Sequence, residues 1–260
     1  MGFLASIVNG VGRLLPKGWG DLGRQLGLIA LANVCYETVR GVAEGRASVA
    51  FANAERIIDF ERATGTYFEP GLQAAVLGWQ WLVDASNWAY MNTHFVVTTA
   101  FLAWLYLFRN EVFYFVRNVL LVSMGLALVG YTLFPTAPPR FLPEEGFVDT
   151  IEVFVGVGQN SALVELFINP YAAVPSMHVA FALTIGVTGV LVCRRLAARG
   201  FWAVYPAIVC FVVVATGNHF WLDAAAGAVV AGMSALVARS VLARAHEAWS
   251  WRRPATEPVT

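Results

Sequence analysis

His219 and Asp223 stand four residues apart at the opening of an apolar stretch. On a helix that spacing makes two side chains neighbours, with Cβ atoms about 5–6 Å apart. A carboxylate so placed accepts the proton of one imidazole nitrogen and fixes the tautomer. The other nitrogen keeps its lone pair and can act as nucleophile or base. A second imidazole, His178, follows Pro175-Ser176-Met177 where another apolar stretch opens. Pro-Ser is a good helix start, because the serine oxygen caps free N–H groups. Those N–H groups and the helix dipole also favour a bound anion. A third polar segment, Pro135-Thr136-Ala137-Pro138-Pro139-Arg140, supplies a cation. A phosphate held among the three would meet a nucleophile on one side and a proton donor on the other. Two imidazoles and a carboxylate also suit zinc, so residue types alone leave a metal site of His178, His219 and Asp223 open.

The elements that must position these residues follow from composition. Of 260 residues 58% are hydrophobic and only 13% charged, against roughly 25% charged in soluble domains. Mean hydropathy is +0.62. The chain therefore reads as a polytopic membrane protein. Seventeen basic and seventeen acidic residues cancel, which excludes a nucleic-acid partner that needs a basic excess. Apolar runs near the ~20 residues needed to cross a bilayer lie at 22–42, 93–109, 112–134, 177–193, 201–217 and 220–242. Residues 48–62 mix charge with apolar residues at helical spacing and suit an interfacial helix. Residues 71–90, with Gln73, Gln80, Asp84 and Asn87, suit an interfacial or re-entrant one. Cys35, Cys193 and Cys210 lack metal or disulfide spacing and read as small core residues.

Arginines orient the bundle. Arg109 and Arg117, then Arg194, Arg195 and Arg199, then Arg239, Arg244, Arg252 and Arg253 fall at the same end of successive spans. The positive-inside rule puts them on the cytoplasmic face, with Arg117 a topology signal. The three polar segments then emerge together on the opposite face. The acidic stretch 144–165 reads as solvated outer surface.

The polar segments resemble the motifs of the type 2 phosphatidic acid phosphatase (PAP2) superfamily, in the branch around inositol phosphorylceramide synthase, the aureobasidin-resistance type. Pro175-Ser176-Met177-His178 is similar to its Pro-Ser-Gly-His motif, with Met for Gly, and His219 with Asp223 to its His-x-x-x-Asp. Pro135-x-Ala137-Pro138-Pro139-Arg140 is similar to the form the first motif takes in that branch. Tyr90 and His94 extend the likeness, which runs from about residue 70 to 235 in motif order. The resemblance implies a metal-independent, two-step transfer that needs no cofactor. His219 would attack phosphorus, Asp223 would orient and stabilise it, and His178 would protonate the departing oxygen. Arg140, Ser176, Asn218 and Tyr171 would bind the phosphate, with Tyr90 and His94 on the acceptor side. Two cations of the usual pattern are missing. Leu133 stands where the first motif has Lys, and Val212-Val213 where the third has Ser-Arg. A phosphomonoester carries nearly two charges at neutral pH, and a diester one. The expected substrate is therefore a lipid-linked phosphodiester.

The resulting expectation is an all-α membrane bundle of about six spans, a single domain over 1–260. Residues 1–70 would form an N-terminal span and interfacial helix, 71–245 the catalytic core and 246–260 a cytoplasmic tail. It would transfer an inositol phosphate-type head group at the extracytoplasmic face of the plasma membrane, with membrane lipids as its partners. Two other functions stand against this one: a lipid or polyprenyl phosphate phosphatase, and a small-solute transporter. A transporter should show polar mid-span residues and paired broken helices, whereas the spans here are nearly uncharged at their centres.

Overall fold

The computed structural model describes residue 12 and residues 15–43, 46–155 and 171–242. These are nearly all helical: α1 (Gly18–Ala43), α2 (Ala47–Ala63), α3 (Glu69–Leu77), α4 (Gln80–Phe108), α5 (Asn110–Leu133), α6 (Thr150–Val155), α7 (Met177–Val192), α8 (Leu196–Ala215) and α9 (Trp221–Val237). Short 3-10 turns, Pro139–Phe141 and Pro143–Glu145, follow α5, and a π turn, Ala238–Leu242, ends α9.

Helices occupy the stretches of the six expected spans, and three or four of them are long and apolar enough to cross a membrane. Asn110–Leu133, Leu196–Ala215 and Trp221–Leu242 are each long and apolar enough to cross a membrane. Within α4, Gln80–Thr93 and Phe95–Phe108 meet at 43° and count as a fourth crossing if taken as one span. Residues 80–90 thus belong to the same helix as the following apolar stretch, across this bend. Met177–Val192 is apolar but shorter, and α1 has the length yet carries Asp21, Arg24, Glu37 and Arg40.

α7 sits centrally, packed on α4, α5, α8 and α9. Away from the polar segments the core is aromatic and aliphatic: Phe101, Leu105 and Tyr106 of α4 meet Phe113, Val116 and Leu120 of α5, Ile185 of α7 and Tyr205 of α8. A second apolar cluster lies under α2, where Ala50, Ala54, Ile57 and Ile58 cover Ala137, Leu142, Phe147 and Phe220. The interfacial stretch is therefore a roof over the loops, its polar face turned outward.

Two expectations fail here. Arg117 is not a solvated topology signal but is 1% exposed. Its guanidinium donates to Gln25 of α1 and to Asn118. Gln25 donates to Asp21 at 3.0 Å, and Asp21 also accepts from the Tyr106 and Tyr114 hydroxyls. A buried cation must be hydrogen-bonded on all sides, and this network fastens α1 to α4 and α5. The cysteines are not core residues either: Cys35 is exposed and Cys193 and Cys210 are half-buried. Among lipid-facing helices a small apolar thiol is as stable outside as inside, so burial does not sort it.

Candidate active site

Backbone hydrogen bonds stitch the three polar segments together. Thr136 N–H donates to the Tyr171 carbonyl (3.0 Å) and Ala173 N–H to the Thr136 carbonyl (3.3 Å), joining the first segment to the second. Arg140 N–H donates to the Gly217 carbonyl (2.8 Å), joining the first to the third, and Ser176 N–H to the Asp223 carbonyl (3.0 Å), joining the second to the third. From above, α2 holds the first segment: Asn53 donates to the Pro135 carbonyl and Ala137 N–H to that of Ala50.

Two glycines permit this closeness. Gly227 of α9 faces the Ser176 carbonyl so tightly that any Cβ there would overlap it. Gly217 turns the chain between α8 and α9 at φ +68°, a left-handed conformation that glycine adopts without steric cost.

His219 lies just before α9 rather than in its first turn, yet it meets Asp223 as expected. Its Nδ1 is 3.3 Å from Asp223 Oδ2, which also accepts the Phe220 N–H at 3.0 Å. Asp223 is fully buried, and its Oδ1 has no hydrogen-bond partner. With the Nδ1 proton directed at the carboxylate, Nε2 holds the lone pair. The backbone fixes the ring as well, because the Val213 carbonyl accepts the N–H groups of both Asn218 and His219 at 3.0 Å. His178, in the first turn of α7, places its ring 5.9 Å from that of His219. Tyr90 stacks on His178 at 4.5 Å with 24° between planes. One phosphoryl group between the imidazoles could touch both.

The remaining expected residues have more specific places. Arg140 is 7% exposed. Its Nη1 donates to Asn218 Oδ1 (2.8 Å), and the Asn218 amide donates to Thr216 Oγ1 (2.7 Å). Asn218 therefore serves by holding the arginine. Ser176 is fully buried; its hydroxyl caps α7 at Val179 N–H, and its own N–H goes to Asp223. Both groups are engaged within the protein, so Ser176 ties two helix starts together. Tyr171 sets its ring edge-on to Phe51 in the cluster under α2. The side chain of His94, like Glu165, lies outside the described residues. The described residues contain no group of three His, Cys, Asp or Glu side chains arranged to hold a metal ion.

Sequence reasoning missed several supports. Glu61 and Glu69 are both completely buried. Glu69 accepts the Trp221 N–H (2.9 Å) and Glu61 that of Leu222 (3.4 Å), at the start of α9. Burial first, then the neighbouring Glu69 charge, pushes Glu61 far above the ordinary carboxylate range, so it holds a proton that Glu69 can accept. Gln73 clamps Val148 through both backbone groups, and Asn87 donates to the Thr150 carbonyl and accepts from the Thr150 hydroxyl. Asp149, expected on a solvated surface, instead sits 3.7 Å from Arg140 Nε with its side chain 11% exposed. The one local signal is the Glu69-Pro70 helix opening; nothing in the spacing marks Glu61 or Asp149.

No curated protein and no solved structure matches the chain. The PAP2 superfamily does match, over residues 55–237, a stretch that takes in the second half of the roof helix, all three stitched segments and the whole of α9. With its apolar helices and this match, the chain belongs to the PAP2 superfamily of phosphatase and phosphotransferase enzymes and is an integral membrane protein.

Proposed function

We propose that the protein is a phosphotransferase working on a lipid-linked phosphate through a phosphohistidine, and that it moves an inositol phosphate-type head group to an acceptor alcohol. The observation that carries this is the imidazole pair, 5.9 Å apart, with Asp223 on Nδ1 of His219. The two histidines are thereby made different: one is a directed nucleophile, the other a proton carrier.

His219 Nε2 attacks phosphorus; the N–P bond forms, the P–O bond to the departing alcohol breaks, and His178 gives its proton to that oxygen. An acceptor hydroxyl then returns a proton to His178 as its oxygen attacks phosphorus and the N–P bond breaks. Asp223 balances the charge that develops on the His219 ring. Arg140 and the amino end of α7 face the non-bridging oxygens, where charge grows in the transition state. The resemblance assigns Tyr90 and His94 to the acceptor side. No metal or organic cofactor takes part in these steps.

The form of the first motif supports the inositol phosphorylceramide synthase-like branch, and the apolar residues Leu133 and Val213 support a substrate with one charge rather than two. The chain works as one domain, with 71–245 its catalytic core. The site opens on the extracytoplasmic face of the plasma membrane, a placement supported by exposed Arg194, Arg195 and Arg199 at the opposite end of α7 from His178.

The test is turnover by purified protein and by His219→Ala in the presence of chelator. Phosphatidic acid, a polyprenyl phosphate and phosphatidylinositol are offered separately. The expected result is chelator-resistant consumption of phosphatidylinositol that the substitution abolishes. Preference for either monoester would make the protein a lipid phosphatase, and loss of activity to chelator would restore the zinc site.

A further inference from the structure

Asp149 belongs to none of the three polar segments, yet its carboxylate is held rigidly. Oδ1 accepts the N–H groups of Ile151 and Glu152 at 3.0 and 3.1 Å, capping α6. Oδ2 stands 3.7 Å from Arg140 Nε, and the two side chains are only 11% and 6% exposed. That distance is an ion pair but too long for a hydrogen bond, and Arg140 Nε has no hydrogen-bond partner at all. The guanidinium thus offers a buried donor to an incoming oxygen while its charge is already offset. Arg140 Nη1 holds Asn218, the residue before His219, and the His219 ring lies 5.9 Å from that of His178. Asp149 therefore acts on the same volume as the imidazole pair.

We propose that Asp149 is a specificity residue: by offsetting Arg140 it makes the site accept a singly charged phosphodiester and refuse a doubly charged phosphomonoester. This rests on the phosphotransfer function proposed above. A diester needs a hydrogen-bond donor more than a net cation, and Arg140 Nε supplies one. A monoester brings a second charge. The positions where the superfamily pattern puts further cations hold Leu133 and Val213, and the fixed carboxylate repels that second charge at short range.

The test compares p-nitrophenyl phosphate with bis(p-nitrophenyl) phosphate, which share a leaving group and differ by about one charge at neutral pH. Full-length wild type, Asp149→Asn and Asp149→Ser are assayed in detergent. Asparagine and serine cap helices about as well as aspartate, so both variants keep the start of α6 and remove only the charge. The ratio of kcat/KM for monoester over diester should rise roughly 10- to 100-fold in both variants, the scale of one short-range charge interaction at a partly buried site. The rise should shrink with added salt. A His219-dependent activity whose ester ratio ignores Asp149 would overturn the proposal alone. Hydrolysis of both esters that survives His219→Ala would overturn the phosphohistidine function beneath it.

Discussion

The buried pair Glu61 and Glu69 makes the sharpest prediction about how the nucleophile is positioned. Glu69 accepts two backbone N–H groups, from Phe68 and Trp221, each at 2.9 Å. Substituting alanine removes both acceptors. An unsatisfied buried donor costs about 1–3 kcal/mol, and loss of the carboxylate from the amino end of α9 costs up to about 2 kcal/mol more. A net loss of about 3 kcal/mol lowers Tm by roughly 6–12 °C in a chain of this size. Glu61→Gln behaves oppositely, because an amide supplies permanently what the shared proton supplies: a donor toward Glu69 and an acceptor toward Leu222 N–H. The sign of the pH dependence follows from the raised pKa of Glu61, whose facing charges are Glu69 and Asp223. Its contribution is fully present below the ordinary value of 4.5 and is lost as pH rises through the raised one. Wild type should therefore lose stability in mildly alkaline buffer while Glu61→Gln does not. Thermal unfolding of detergent-solubilised protein across a pH series reads both effects. If Glu61→Gln is as damaging as Glu69→Ala at neutral pH, or loses stability in alkali as wild type does, the shared proton does not exist.

Two further substitutions probe the same assembly. Gly227→Ala drives a Cβ into the Ser176 carbonyl, which is backbone and cannot swing aside. Separating α7 from α9 should cost about 1–3 kcal/mol by overpacking and lower kcat more than it raises KM, measured by steady-state turnover beside Tm. Tyr90→Ala removes the ring stacked on His178; an aromatic pair is worth about 0.5–1.5 kcal/mol, so kcat/KM should fall roughly 3- to 10-fold. Tyr90→Phe keeps the stack and should fall less, and equal losses in the two variants would assign the effect to the hydroxyl instead.

How much of this was legible in the sequence depended on how each residue earns its place. His178, His219, Asp223 and Arg140 lie in short segments at the ends of apolar runs, so residue type, local spacing and hydropathy together located them. Glu61, Glu69, Asp149 and Arg117 belong to no motif spacing, and a charged side chain is solvated by default. Their burial is decided by partners far away in the chain: Glu69 meets a residue 152 positions on and Glu61 one 161 positions on. No periodicity encodes such a pairing. The boundary of α4 was missed for a related reason. Gln80, Asp84 and Asn87 look interfacial, but Asn87 is fully buried against Thr150 and Gln80 donates to Asp84 along the same helix turn. Side-chain partners thus let polar residues extend the helix beyond its apolar stretch.

The charges that the sequence could not place alter what the site can hold. Motif residues alone suggest an arginine and two histidines awaiting an anion. In the folded chain Arg140 is matched by Asp149, Asp223 is buried beside His219, and the glutamate pair retains one negative charge at the start of α9. The amino end of α9 is thus already occupied by carboxylates, which leaves the amino end of α7 as the helix terminus available to a phosphoryl oxygen. A substrate entering this surrounding gains little from net charge. It gains most from directed donors: Arg140 Nε, the first turn of α7 and a protonated His178. Directed donors discriminate by where the oxygens lie, and they favour a phosphoryl group whose charge is small and whose geometry is fixed by ester bonds on two sides.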